Sequence, residues 1–278
     1  MKVSTVTIIT PCRNAERLVR RTAESIMAQT AVRSGRVRLQ YLVCDGASTD
    51  RTVEVVREVC GDAVQILSEP DRSLYEAVAK GFRRATGDVV SYLNAGDLYS
   101  PTALDVVADV FEQHDVEWIT GMVVRHNPRG EVIRVDLPYR YRRRFIQKGL
   151  YGSRLLPFFI TQETCFWSRR LLSLVDLDRL SGYKLAGDYY LWKCFAREAE
   201  LVVVESHLGG FAYEPGQLSQ TGDAYARDLA TFREPIGPLD LALSQLDRLA
   251  WYFAPPPLRK WLNPKGLLRY SPTEDRWR

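Results

Sequence analysis

The chain has 278 residues, 46% hydrophobic and 26% charged, with a formal net charge of +4. This is an ordinary globular composition, enough for one large domain or a domain with an appendage. No apolar stretch approaches the roughly 18 residues a membrane span needs, and so mild a charge gives no footing for nucleic acid. Five scattered cysteines (Cys12, Cys44, Cys60, Cys165, Cys194) form no CxxC pair. They fit buried, reduced thiols better than a disulfide framework or a zinc site. Residues 1–5 enter the first strand directly and carry no signal-peptide pattern, so a cytoplasmic protein is expected.

Residues 6–10 read as a strand, 11–14 as a turn at its carboxyl end, and 15–29 as a helix with Leu18, Thr22, Ile26 and Gln29 along one side. A second strand, 39–44, ends in Asp45-Gly46-Ala47-Ser48-Thr49-Asp50, and a helix carrying Val53, Val56 and Val59 follows. Residues 64–67 are a third strand. Residues 73–85 are a helix, with Ser73 and Glu76 at capping-box spacing. Residues 89–93 form a nearly continuous apolar run, expected as a strand buried on both faces. Alternating strands and helices predict an α/β fold with a mainly parallel sheet. After the fourth strand comes a polar tip, Asn94-Ala95-Gly96-Asp97, and then Ser100-Pro101, which reads as a helix start.

In such a sheet ligands bind at the carboxyl ends of the strands. Asp45, Asp71-Arg72 and the 94–97 tip all fall at that edge. Carboxylates converging there suit a ligand rich in hydroxyls, phosphate and amide edges. The same residues are also usual turn formers, so a turn at 94–97 and an Asx-turn at Asp45 remain open readings. No GxGxxG follows the first strand and no P-loop is present, which disfavours a dinucleotide site.

Taken together, several segments resemble glycosyltransferase family 2 in order and spacing. They are Ile8-Ile9-Thr10-Pro11-Cys12-Arg13-Asn14, Ser25-Ile26-Met27-Ala28-Gln29, residues 45–52, residues 68–77, Lys80-Gly81, Ala85-Thr86-Gly87-Asp88 and Leu93-Asn94-Ala95-Gly96-Asp97. The resemblance implies a GT-A fold, a nucleotide-diphosphate-sugar donor and an inverting transfer. It implies that Thr10, Pro11 and Asn14 line the nucleotide pocket, that Asp45 contacts base or ribose, and that Asp71 and Arg72 face the nucleotide. Asn94, Gly96 and Asp97 stand where the family carries its metal-binding DxD. Two of the carboxylates usual there are missing, so Asp97 is the remaining metal ligand, for magnesium or manganese held mostly by the donor's diphosphate. Ala79 precedes Lys80-Gly81 where related members carry asparagine.

Residues 103–113 read as a helix, and 117–124 and 131–135 as strands of a hairpin turning at 126–130, with His126 a loop residue. Residues 139–148 (Tyr-Arg-Tyr-Arg-Arg-Arg-Phe-Ile-Gln-Lys) are basic with interleaved aromatics. They suit a solvated loop, a groove for an anionic acceptor, or an anionic membrane surface. The cluster stands alone, which disfavours nucleic acid. Residues 161–168 read as a strand resembling the family's acceptor-side segment. Asp188, in Gly187-Asp188-Tyr189-Tyr190-Leu191-Trp192, starts a helix and on position alone suits an N-cap. The segment resembles the family's Glu-Asp-Tyr-x-Leu-Trp motif, which implies that Asp188 is the general base. An inverting transfer needs such a base to take the acceptor's proton, and charge neutralisation at the leaving diphosphate.

Residues 201–204 are a strand, and 207–220 loosely resemble the family's closing loop, with His207 structural. Residues 239–253 form an amphipathic helix whose apolar face holds Leu239, Ala242, Leu243, Leu246, Leu249, Ala250 and Phe253. That face suits packing on the catalytic domain. Residues 258–270 mix Trp, Leu, Lys and Arg as an interfacial segment does. The expected organisation is a GT-A domain over 1–220, with a nucleotide-binding half to 100 and an acceptor half beyond, and a helical extension over 221–278. The expected activity is sugar transfer from a nucleotide-diphosphate donor to a saccharide or lipid-linked saccharide acceptor in surface polysaccharide assembly, with peripheral membrane attachment. The rival readings are a sugar-phosphate nucleotidylyltransferase, whose Gly-rich N-terminal loop is missing here, and a non-catalytic nucleotide- or glycan-binding relative.

Overall fold

The apolar runs of the first hundred residues form the centre of a twisted sheet. A computed structural model describes residues 1–153, 155–213, 223–231 and 233–278. In chain order the first half contains β1 (Thr5–Cys12), α1 (Val19–Met27), α2 (Thr30–Arg33), β2 (Arg38–Asp45), α3 (Thr52–Cys60), β3 (Val64–Ser68), α4 (Leu74–Phe82), β4 (Val89–Tyr92), β5 (Leu98–Tyr99) and α5 (Ala103–Gln113). The second half adds β6 (Trp118–Thr120), β7 (Val123–His126), β8 (Val132–Asp136), α6 (Arg143–Gln147), β9 (Phe166–Ser168), α7 (Arg169–Leu172), α8 (Leu177–Ser181), α9 (Gly187–Phe195), β10 (Val202–Val204), β11 (Gly209–Ala212), α10 (Asp223–Ala230), α11 (Pro238–Phe253), α12 (Pro256–Leu262), β12 (Leu267–Leu268), β13 (Tyr270–Ser271) and β14 (Arg276–Trp277).

The main sheet runs β12-β10-β6-β9-β4-β1-β2-β3. Its pairs are parallel except at β9, which runs against both β4 and β6. β4 is buried along its whole length, as its unbroken apolar run requires. Ser73 caps α4 by accepting a hydrogen bond from the Glu76 N–H, while the Glu76 carboxylate accepts from the Arg72 N–H. This is the capping-box exchange displaced by one residue.

Several boundaries differ from those expected. β1 continues through Pro11 and Cys12, because Cys12 still pairs with Asp45 across to β2. α1 begins only at Val19: Asn14 adopts a left-handed φ of 49° and a turn occupies the next residues. α5 begins at Ala103, not at Ser100-Pro101. The buried Gln29 side chain performs the capping there, accepting from Leu104 N–H and donating to the Ser100 carbonyl. The single strand expected over 117–124 divides at Gly121, where a Cβ would lie 2.8 Å from the Ser206 carbonyl oxygen. β6 stays in the main sheet, while β7 turns into a second sheet ordered β5-β11-β7-β8. His126 is therefore a buried strand residue rather than part of the turn.

The largest departure concerns the basic stretch 139–148 and the C-terminal helices. Tyr139, Tyr141, Phe145 and Ile146 are core residues. Three of the cations in this stretch, Arg142, Arg144 and Lys148, grip α11, while Arg140 and Arg143 bond to the carbonyls of Leu262, Ala196 and Arg197. Arg142 makes a two-pronged pair with Asp247 at 2.5 and 2.7 Å, and Arg144 and Lys148 both meet Asp240. Asp240 is fully buried, and those donors hold its carboxyl well below the usual range. α11 is thus inverted. Its acids face inward, with Trp251 stacked on Phe158 at 3.9 Å, and Leu239, Leu246, Leu249 and Phe253 face out. Nor is 221–278 purely helical. β12 extends the main sheet beside β10, and Trp277 packs into the core near α5. All five cysteines are buried free thiols.

Candidate active site

The strand ends β1, β2 and β3 bring Pro11, Asn14, Asp45, Asp71 and Arg72 to one edge, as expected, but most of these side chains already hold one another. Thr10 is fully buried and its hydroxyl accepts from Tyr41, so it braces the strand from beneath and does not line a cleft. The Asn14 amide oxygen accepts from Thr49 N–H, and the Asn14 N–H donates to the Ser48 hydroxyl. Asp45 is 1% exposed: it accepts from Ser48 N–H at 3.0 Å, from the Ser48 hydroxyl and from the Ser68 hydroxyl at 2.6 Å. This is an Asx-turn tied to β3, so the carboxylate expected to meet a ribose is already satisfied. Asp71 pairs with Lys80 at 2.5 Å, and burial pushes its carboxyl upward against that cation. Lys80 also reaches Glu69 and the Pro70 carbonyl, which fixes the loop between β3 and α4. Arg72 lies on the rim, its side chain 83% exposed.

At the next strand end the tip 94–97 is built on Gly96, whose φ of 109° only glycine adopts without strain. Thr22 of α1 fixes it from both sides, accepting from Gly96 N–H and donating to the Asp97 carbonyl. The Asn94 amide donates to Gln162, while its own oxygen is buried and has no hydrogen-bond partner. The Asp97 side chain is 4% exposed and accepts from the Ala212 N–H of β11 at 2.9 Å. Burial, then the nearby charge of Glu163, pushes its carboxyl well above the usual range.

Glu163 is a residue the sequence did not single out. The stretch read as a strand over 161–168 starts with a tight turn, Gln162–Thr164, and β9 follows it. That turn directs Gln162 towards the Tyr92 carbonyl and Asn94, and leaves Glu163 6% exposed. Burial lifts the Glu163 carboxyl to about 7, aided by the charge of Asp188. Gly209 of β11 permits this packing, since a Cβ there would lie 2.4 Å from the Glu163 carbonyl oxygen.

Asp188 sits in the first turn of α9, one residue after its start, and is not the cap; the residue preceding the helix is Ala186. The loop is held by Asp228 of α10, which accepts from Leu185 N–H and Ala186 N–H. The Asp188 carboxylate accepts from Tyr189 N–H at 2.7 Å and from the Tyr225 hydroxyl at 3.3 Å. Burial raises it to about 7 against those bonds. Gly187 stands where the resembling motif has glutamate. A Cβ there would lie 2.5 Å from the Tyr75 ring, whose hydroxyl donates to the Leu185 carbonyl. Tyr75, Tyr225 and Asp228 carry no local motif. Residues 214–220 of the expected closing loop lie outside the described residues.

Among the described residues, no group of three His, Cys, Asp or Glu side chains could hold a metal alone. The donors beside the tip still suit a divalent ion that brings its own phosphate oxygens. Asp97 supplies one carboxylate, and the partnerless Asn94 oxygen supplies a neutral donor. His126 and His207 lie 5.7 Å apart, burial lowers the pKa of both, and neither has a hydrogen bond to the tip's carboxylates among the described residues.

The model of glycosyl transferase family 2 matches residues 7–173. An uncharacterized glycosyltransferase of Mycobacterium tuberculosis is 33% identical over 65% of this chain and 63% of its own length. The chain thus spans under two thirds of that relative. A UDP-Glc:alpha-D-GlcNAc-diphosphoundecaprenol beta-1,3-glucosyltransferase of Escherichia coli is 23% identical over 78% of each chain. Among solved structures, the mannosyltransferase PcManGT from Pyrobaculum calidifontis, in complex with GDP-Man and Mn2+, superposes with a TM-score of 0.59 at 18% identity, covering 95% of this chain and 73% of that one. The shared architecture is the GT-A type fold, with its large, mostly parallel sheet.

Proposed function

The chain belongs to glycosyl transferase family 2, and on that premise we propose that it transfers a sugar from a nucleotide-diphosphate donor to an acceptor hydroxyl, inverting the anomeric carbon. The observation that carries the reading is Asp188: a recessed carboxylate at a helix start, raised to about 7 by burial and held by Tyr189 N–H and Tyr225. A base of that strength takes a proton near neutral pH and still exists unprotonated there. As the acceptor oxygen bonds to the anomeric carbon, its proton passes to an Asp188 oxygen. The bond from that carbon to the donor phosphate breaks, and the nucleoside diphosphate leaves with the bonding pair.

Asp97 and Asn94 are the residues that would hold a magnesium or manganese ion. When bound, such an ion would neutralise the departing diphosphate. Glu163 interacts with both by charge: after burial, its charge makes Asp97 harder to ionise, and the charge of Asp188 in turn raises Glu163. Pro11, Asn14, Asp71, Arg72 and Gly96 shape the donor edge. Asp45 shapes it indirectly, by fixing the loop after β2. The acceptor is a saccharide or lipid-linked saccharide, a reading supported by the diphosphoundecaprenol-linked acceptor named for the E. coli relative and consistent with surface polysaccharide assembly at the cytoplasmic face of a membrane.

Release of nucleoside diphosphate from a panel of nucleotide sugars, with and without magnesium or manganese, tests the reading. Turnover of one donor that is lost in Asp97→Ala supports it. Failure to bind any nucleotide sugar would sink it. Binding without turnover, even with cell-envelope acceptors supplied, would favour the non-catalytic relative.

A further inference from the structure

The outer face of α11 and α12 has no partner among the described residues. Leu239, Leu246, Leu249 and Phe253 fall at spacings of seven, three and four, which places them on one stripe of a helix. They are 56%, 60%, 56% and 78% exposed. Leu258 and Trp261 of α12, the next helix in the chain, are exposed as well, Trp261 at 74%. Soluble monomers seldom leave a contiguous apolar patch of this kind uncovered.

Charge selects the occupant. The two acids of α11, Asp240 and Asp247, both point inward and are neutralised by Arg142, Arg144 and Lys148. α12 carries no acid at all. Arg248 on a flank of α11 and Lys265 just after α12 remain exposed. Arg259 and Lys260, the cations that the sequence assigned to an interfacial role, are instead bonded to backbone carbonyls: Arg259 to those of Trp251, Ala254 and Leu137, Lys260 to those of Pro264 and Leu267. An apolar stripe on two helices whose only exposed charges are positive is complementary to a surface that is apolar within and anionic at its rim.

The patch also connects to the site. Phe158 packs on Trp251 and Tyr252 of α11. Its neighbour Phe159 is 54% exposed and packs against Tyr225, whose hydroxyl meets Asp188. We propose that the outward face of α11–α12, formed by Leu239, Leu246, Leu249, Phe253 and Trp261, seats the enzyme on an anionic lipid bilayer surface, with the Phe158-Phe159 corner turned towards the same surface. The attachment is peripheral, since no described helix is long and apolar enough to cross a membrane. It stands independently of the sugar-transfer reading.

The test is flotation of the full chain with phosphatidylglycerol–phosphatidylcholine vesicles and with phosphatidylcholine vesicles alone. Wild type is expected to float with the anionic vesicles, and more weakly with the neutral ones. Leu246→Glu combined with Phe253→Glu should lower the bound fraction about tenfold or more. Arg248→Glu should lower binding to anionic vesicles only. Ile133→Glu, at an exposed apolar position on β8, should change nothing. Unchanged melting and nucleotide binding would show that the variants are folded, which the exposure of both positions favours. Three results would overturn the proposal: a wild type that floats with neither composition, equal loss in Ile133→Glu, or self-association without lipid that Leu246→Glu abolishes. The last would make a second copy the occupant.

Discussion

At the β1–β3 edge, Asn14, Ser48, Asp45 and Ser68 bond to one another and leave little of their polarity unmet. At the neighbouring strand ends, Asp97, Glu163 and Asp188 are recessed and raised in pKa, chiefly by burial. Both regions are clusters of carboxylates and hydroxyls at the carboxyl ends of strands. The difference is what the bonds do. The donors to Asp45 tie a loop to a strand, whereas the donors to Asp97 and Asp188 do not offset the cost of burying the charge, which leaves those carboxyls ready for a substrate or cation.

Replacing carboxylates on the two sides should therefore have opposite effects. The largest is on activity: Asp188→Asn should lower transfer about a hundred- to ten-thousand-fold, read as nucleoside diphosphate release with acceptor present, while donor binding persists. Wild-type rate should rise with pH to a plateau above about 7, because the base must be unprotonated. A flat profile from pH 5 to 8 would count against it. Next, Asp45→Ala should destabilise the fold by about 3 kcal/mol in denaturant melts, because three donors lose their acceptor. Gly187→Ala should cost about 2 kcal/mol, since Tyr75 must move.

Asp188→Asn should do the reverse at alkaline pH. The folded carboxyl titrates near 7, above its unfolded range, so the native state holds the extra proton. Its stability is unimpaired below the unfolded value and declines as pH rises through about 7. The variant should gain roughly 2 kcal/mol over wild type at pH 8 and nothing at pH 4. If Asp188→Asn instead destabilises at pH 8 as Asp45→Ala does, the contrast between the regions fails. The smallest effect is Tyr225→Phe: losing one bond to the carboxylate should move the rate profile to higher pH with the maximum nearly kept.

Much of this was legible because local chemistry decided it. The buried run of β4 and the Ser73 cap follow from periodicity and capping. Glu163 was not, because its importance comes from a tight turn that places it against Asp97 and Asp188, and nothing adjacent in sequence marks that. Tyr225 and Asp228 act on a helix about forty residues earlier. α11 shows the limit of amphipathicity: the pattern identifies an apolar face, but a row of arginines and a lysine on the partner chose the acidic one for burial. Asp45 and Asn14 belong to residue types that serve turns and ligands equally, and only their bonded neighbours distinguish the two.

The strand β12 has a consequence for how the chain is made. It comes from Leu267–Leu268, yet it pairs with β10 in the sheet that β1 and β2 begin. A nascent chain can assemble the nucleotide-side strands while synthesis continues, but β10 keeps an unpaired edge until Leu267 and Leu268 have left the ribosome. During that interval α11 has also emerged with its leucines outward. A translation pause there would prolong exposure of both an open strand and an apolar helix face, so the interval between α11 and β12 is the period of greatest aggregation risk.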